Sequence, residues 1–171
     1  PQSNHCSFSV SSNSLQLKQH TMAAPDYKTS KKIGEGFCVM GAIDAAVLDH
    51  VVKDGYKSVL NLRRAEEANL EKEEELVKAK GLSYANVPIM ASADGIDAKA
   101  VRAAAEALHG LPQPAFVHCA SAGRATAVVL AHNHLYVATN KTFEDFVNAA
   151  ASVGFVYNPN WQTNLKAEFY P

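Results

Sequence analysis

A repeated change of period constrains this chain most. From residue 36 onward, short apolar runs alternate with amphipathic stretches of helix length. The runs "FCVMG" (37–41), "KSVLNL" (57–62), "LSYANVPI" (82–89) and "PAFVHC" (114–119) have the length and near-continuous apolarity of strands buried on both faces. The segments after them read as helices: 44–55, with Asp44 as N-cap and Gly55 as stop signal; 64–81, closed by Gly81; and 97–110, with Asp97 placed to cap it. Residues 124–139 are apolar nearly all round, as a helix against a sheet must be, and 142–154 and 160–169 supply two closing helices. Strands alternating with helices imply a three-layer α/β domain, a mostly parallel sheet of four to five strands flanked by helices. The glutamates and lysines of 64–81 read as a solvated face, and "MASADG" (90–95) as a loop.

With 171 residues and no internal repeat, one domain spanning 24–171 is expected. The stretch 1–21 is Ser-rich, free of acids and opens without Met, whereas Met22 begins "MAAPDYKTSKKIGEG". Residues 1–23 read as a disordered leader or non-native extension. A targeting segment is the alternative, weakened by the absence of Arg and the single Lys. The net charge of -1 supplies no field for nucleic acid or an anionic membrane, and no apolar run reaches the ~18 residues of a bilayer span. Three widely spaced cysteines, Cys6, Cys38 and Cys119, form neither a disulfide framework nor a zinc spacing. A reducing, cytoplasmic setting is expected, or an organelle if 1–21 is a targeting segment.

One stretch carries chemistry: "AFVHCASAGRAT" (115–126). Ligands of parallel sheets bind beyond the carboxyl ends of strands, and Cys119 ends one. Ala120, Ser121, Ala122 and Gly123 are small enough for consecutive backbone N–H groups to surround an oxyanion at a helix N-terminus. Arg124 adds a planar guanidinium able to hold two oxygens, and these donors favour Cys119 as a thiolate nucleophile. The competing reading is a small buried hydrophobe at a strand end.

With "GYKSVLNLRRAEE" (55–67), "KGLSYANVPIMA" (80–91) and "FVHCASAGRA" (116–125) in this order, the sequence resembles the cysteine-dependent phosphatases of the protein-tyrosine and dual-specificity superfamily. It is most similar to the branch called beta-lactamase-hydrolase-like, over residues 34 to 155. The resemblance implies a dual-specificity-phosphatase-like fold and hydrolysis of a phosphomonoester through a cysteinyl-phosphate on Cys119. Arg124 and the amides of 120–124 would hold the phosphate, and His118 would support the thiolate. A general acid is expected after the third strand, at Asp94 or Asp97, with a slight preference for Asp94 because Asp97 suits a helix cap. His132 and His134 have no role beyond structure. The implied substrate is a phosphorylated small molecule or a phosphoprotein; no metal, cofactor, nucleic acid or membrane is implied, and no basic patch beyond Arg124 marks a polyphosphate.

Two departures open alternatives. Cys119 and Arg124 enclose four residues, where most of the superfamily has five. Four is the spacing of the beta-lactamase-hydrolase-like branch and also of many rhodaneses, so a sulfurtransferase carrying a persulfide on Cys119 is the runner-up. Ala125 stands where related phosphatases often have Ser or Thr, with Thr126 one helical step away, which leaves a catalytically weak anion-binding or assembly subunit as the third reading.

Overall fold

The computed structural model describes residues 24–67 and 69–171; the leader and Cys6 lie outside them. Seven strands and six α-helices follow one another: β1 (Lys31–Ile33), β2 (Phe37–Met40), α1 (Ala45–Lys53), β3 (Ser58–Asn61), α2 (Leu70–Ala79), β4 (Ser83–Asn86), β5 (Ala91–Ser92), β6 (Gly95–Ile96), α3 (Ala98–Gly110), β7 (Ala115–His118), α4 (Gly123–His132), α5 (Phe143–Ser152) and α6 (Pro159–Phe169). The main sheet has five strands in the order β1-β2-β7-β3-β4, parallel except for the antiparallel edge β1. The expected mostly parallel α/β sheet is present.

Strand β7 is central, with Phe116 opposite Cys38 on β2 and Val59 on β3. Phe116, Cys38, Met40 and Val59 face α1 and α2, against Val47, Leu48, Val51 and Val77. Val39, Leu60 and Val117 face the other layer, where α4 buries Ala127, Val128, Val129 and Leu130. Each Val or Leu so buried contributes roughly 1.5–3 kcal/mol, so the two cores fix which way every β7 side chain points. A one-residue slip would exchange the two faces.

Local chemistry sets the ends. Asp44, Asn69 and Asp97 each accept a hydrogen bond from an amide three residues on, at 2.9–3.0 Å. Helix α2 begins at Leu70, later than the expected 64, because Asn69 is its cap and Ala65–Glu67 make a separate 3₁₀ turn. The 90–95 loop is instead largely the tight hairpin β5–β6, and β1 is an edge strand that its short, lysine-rich sequence did not announce. After α4 the chain passes through one π-type turn, Asn133–Val137, so the single long helix expected over 124–139 is interrupted. Helix α6 is anchored on α3 through Arg102, which pairs with Glu168, donates to its carbonyl at 2.7 Å and lies 4.9 Å from the centre of the Phe169 ring.

Candidate active site

At the carboxyl end of β7 the chain leaves the sheet at Cys119 and turns into α4 within four residues. The loop is strapped to the end of β2. The Cys119 amide donates to the Met40 carbonyl at 3.3 Å, the Ala42 amide donates to the Ala120 carbonyl at 3.2 Å, and Gly41 bridges to Ser121. A Cβ at Gly41 would stand 2.9 Å from the Ala120 carbonyl oxygen, so only glycine permits this approach. Ala122 adopts φ 67°, a left-handed conformation that costs an alanine about 1–2 kcal/mol. Its carbonyl takes both the amide and the hydroxyl of Thr126, at 2.9 and 3.0 Å, which holds it there. The Thr126 hydroxyl is thus spent on the helix. Among the described residues no side chain caps α4, so its first amides are open to an anion.

Arg124 is 8% exposed and fixed from several sides. Its Nη1 donates to Glu67 Oε2 (2.9 Å), the Ile89 carbonyl (2.9 Å) and the Leu62 carbonyl (3.3 Å), and its Nη2 to Glu67 Oε1 (2.5 Å). A guanidinium has five N–H bonds. The two on Nη1 and one on Nη2 are taken by these acceptors; Nε–H and the second Nη2 hydrogen, a parallel pair, remain for two oxygens of one anion. The Glu67 carboxylate is what chiefly raises the guanidinium's pKa, with a smaller contribution from nearby Cys119. In return, the Arg124 hydrogen bonds hold the Glu67 carboxyl down at about 2, against the opposing effect of burial. Cys119 itself has no exposed surface.

His118, wholly buried, turns to the other face of the sheet. Its Nε2 lies 2.9 Å from Glu73 Oε1, and its Nδ1 has no partner among the described residues. Glu73 is buried as well. It receives Asn61 Nδ2 at 2.7 Å and pairs with Arg63. Burial alone would raise its carboxyl pKa; His118 and Arg63 outweigh that and bring it below the ordinary value. Part of the 64–81 charge run is therefore structural, since Glu67 pairs with Arg124 and Glu73 with His118, on either side of the loop.

The loop's solvent side opens on a recess of about 280 Å³ between Ser121 and Gly123, the β5–β6 turn at Ser92 and Ala93, and the segment from Phe155 to Trp161. Tyr157 donates to the Gly123 carbonyl at 3.2 Å, and its burial keeps the phenol protonated. Asp94 follows Ala93 at the exposed hairpin tip and faces a neighbouring hollow with Asp97 and Asn164. Asp97 uses Oδ1 to cap α3. His132 lies at the opposite end of α4, beside Phe37 and His109, and His134 beside Tyr170. Among the described residues no group of three or more His, Cys, Asp or Glu is arranged to hold a metal ion, and no helix is long and apolar enough to cross a membrane.

No family model and no curated protein sequence matches the chain. Solved structures do. A DUF442 protein from Shewanella putrefaciens CN-32 superposes with a TM-score of 0.64 at 19% identity, over 82% of this chain and 88% of that one. The core catalytic domain of the PP-IP phosphatase Siw14 from S. cerevisiae gives 0.63 at 15%, over 84% and 85%. A kinase-associated phosphatase with serine in place of its catalytic-site cysteine gives 0.62 at 13%, over 75% and 83%. The fold is the one these phosphatase structures share. The expected dual-specificity-phosphatase-like architecture is therefore the observed one. Glu67 and Glu73 had no role in the sequence reading, although Glu67 closes the "VLNLRRAEE" stretch and was within its reach.

Proposed function

We propose that this protein is a phosphoric monoester hydrolase that works through a cysteinyl-phosphate on Cys119. The observation that carries this reading is the Arg124 guanidinium, held by Glu67 at the end of the Cys119 loop and keeping two parallel N–H groups for an anion. The tetrahedral phosphate of a monoester presents paired oxygens to that fork. The Cys119 sulfur attacks phosphorus, the bond to the leaving oxygen breaks, and water later cleaves the S–P bond. Arg124 and the uncapped amides of α4 stabilise charge on the equatorial oxygens. The superpositions on phosphatases support this chemistry ahead of sulfur transfer.

Purified protein should release phosphate from p-nitrophenyl phosphate. Acid quenching during turnover should trap a phosphate adduct on the Cys119 peptide, absent from Cys119→Ser. Thiocyanate production from thiosulfate and cyanide without any phosphate release would instead establish the sulfurtransferase. Occupancy by phosphate with neither activity would establish a binding module.

Asp94 is the proposed general acid. Its hairpin borders the recess, and Asp97 already serves as a cap. Asp94→Asn should slow hydrolysis of an alkyl phosphate about 10²-fold while affecting p-nitrophenyl phosphate, whose leaving group needs no proton, far less. A larger effect from Asp97→Asn, without loss of stability, would transfer the role.

A further inference from the structure

The recess beside the loop is built almost entirely from small and aromatic residues, and among the described residues no Lys, Arg, His, Asp or Glu lines it. Trp161 forms one wall of it. The indole Nε1 donates to the Ser92 carbonyl at 2.7 Å, and the ring stacks on Tyr157 with centroids 5.5 Å apart and planes 19° from parallel. Its six-membered ring lies over the loop: Cη2 and Cζ3 would each be 3.8 Å from a Cβ at Gly123, with the Phe155 ring edge at 3.9 Å. The wall is fixed before any ligand arrives, so little ordering entropy remains to be lost on binding. Val156, at the rim, is 86% exposed.

The charge at the loop is equally specific. Arg124 and the neighbouring Arg64 are matched by Glu67 and Glu66, so the two side-chain cations carry no surplus formal charge, and the adjoining wall adds none. A ligand with a second phosphate would place that charge against uncharged aromatic surface. A ligand whose single phosphate sits on a flat apolar group would instead lay that group along Trp161.

We propose that Trp161, backed by Phe155 and Tyr157, determines specificity, selecting monoesters in which one phosphate is carried by a planar apolar group and discriminating against multiply phosphorylated ligands. This rests on the phosphatase reading of the Cys119 loop. The preference comes from the last helix and the segment before it, outside the loop that does the chemistry.

Trp161 is the chain's sole tryptophan, so its emission reports the wall directly. Phenylphosphonate and methylphosphonate, neither hydrolysable, would be titrated into the full chain, following tryptophan fluorescence and inhibition of p-nitrophenyl phosphate hydrolysis. Phenylphosphonate should bind about tenfold more tightly, as expected for one aromatic contact, and should change the emission. Inositol hexakisphosphate should bind no more tightly than methylphosphonate. Trp161→Leu should bring the two phosphonate affinities together. Trp161→Phe, which loses the bond to Ser92 but keeps an aromatic face, should retain most of the preference. Equal binding of both phosphonates, or tightest binding of the inositol phosphate, overturns this proposal while leaving the phosphatase reading intact. Binding of neither phosphonate, with no hydrolysis, overturns both.

Discussion

Glu67→Gln should lower kcat/KM for p-nitrophenyl phosphate by about 10²-fold while leaving the fold in place. The carboxylate engages two nitrogens of Arg124 and so sets the plane of the guanidinium. An amide offers one acceptor and one donor, and its NH₂ would oppose a guanidinium N–H. The fork would then tilt away from the anion, and displacements of about 1 Å at a reacting centre cost on this order. Steady-state kinetics on the variant, with circular dichroism to confirm folding, decides the matter; an unchanged kcat/KM would remove Glu67 from the site. The same pair has a pH signature. Because the folded-state pKa of Glu67, about 2, lies below its ordinary value of 4.5, its contribution to stability is complete above pH 4.5. It is lost as pH falls from there through about 2. Urea midpoints measured across that window should fall less steeply for Glu67→Gln than for the parent.

The larger effect on stability is expected at Glu73. Glu73→Ala would strip the acceptor from Asn61, Arg63 and His118 at once, all of them buried. Removing one partner of a buried, hydrogen-bonded ion pair costs about 3–5 kcal/mol, a large share of the 5–15 kcal/mol that holds a domain of this size together. The loss should appear as a Tm lowered by roughly 10 °C. Glu73→Gln, which keeps an acceptor for one donor, should lose less. If the alanine variant unfolds at the parent's denaturant midpoint, the network contributes nothing. Because His118 precedes Cys119, the alanine variant should also lose activity below its unfolding temperature.

Much of this was legible in the sequence, because period and caps are local properties. The four apolar runs became the four parallel strands, and Asp44 and Asp97 cap α1 and α3 as their placement suggested. The candidate loop stood out because strand end, small residues and arginine are contiguous. What could not be read is what distant segments bring to it. Glu67 and Glu73 look like any other carboxylates of an acidic helix, and only the parallel pairing of β3 with β7 sets them beside Arg124 and His118. The hairpin β5–β6 was hidden by its two-residue strands, too short for alternation to register. The wall at Phe155–Trp161 comes from residues over thirty positions beyond Gly123, a tertiary placement with no local signature.

The pairing of Arg124 with Glu67 also governs how ligands arrive. A dipole falls off faster with distance than a lone charge, and a net charge of -1 adds no attraction from afar. On the proposed function, an incoming phosphate therefore feels the guanidinium only once it is nearly in place. Its capture should run at the unsteered diffusional rate and vary little with ionic strength, with the charge of the site expressed in how long the anion stays.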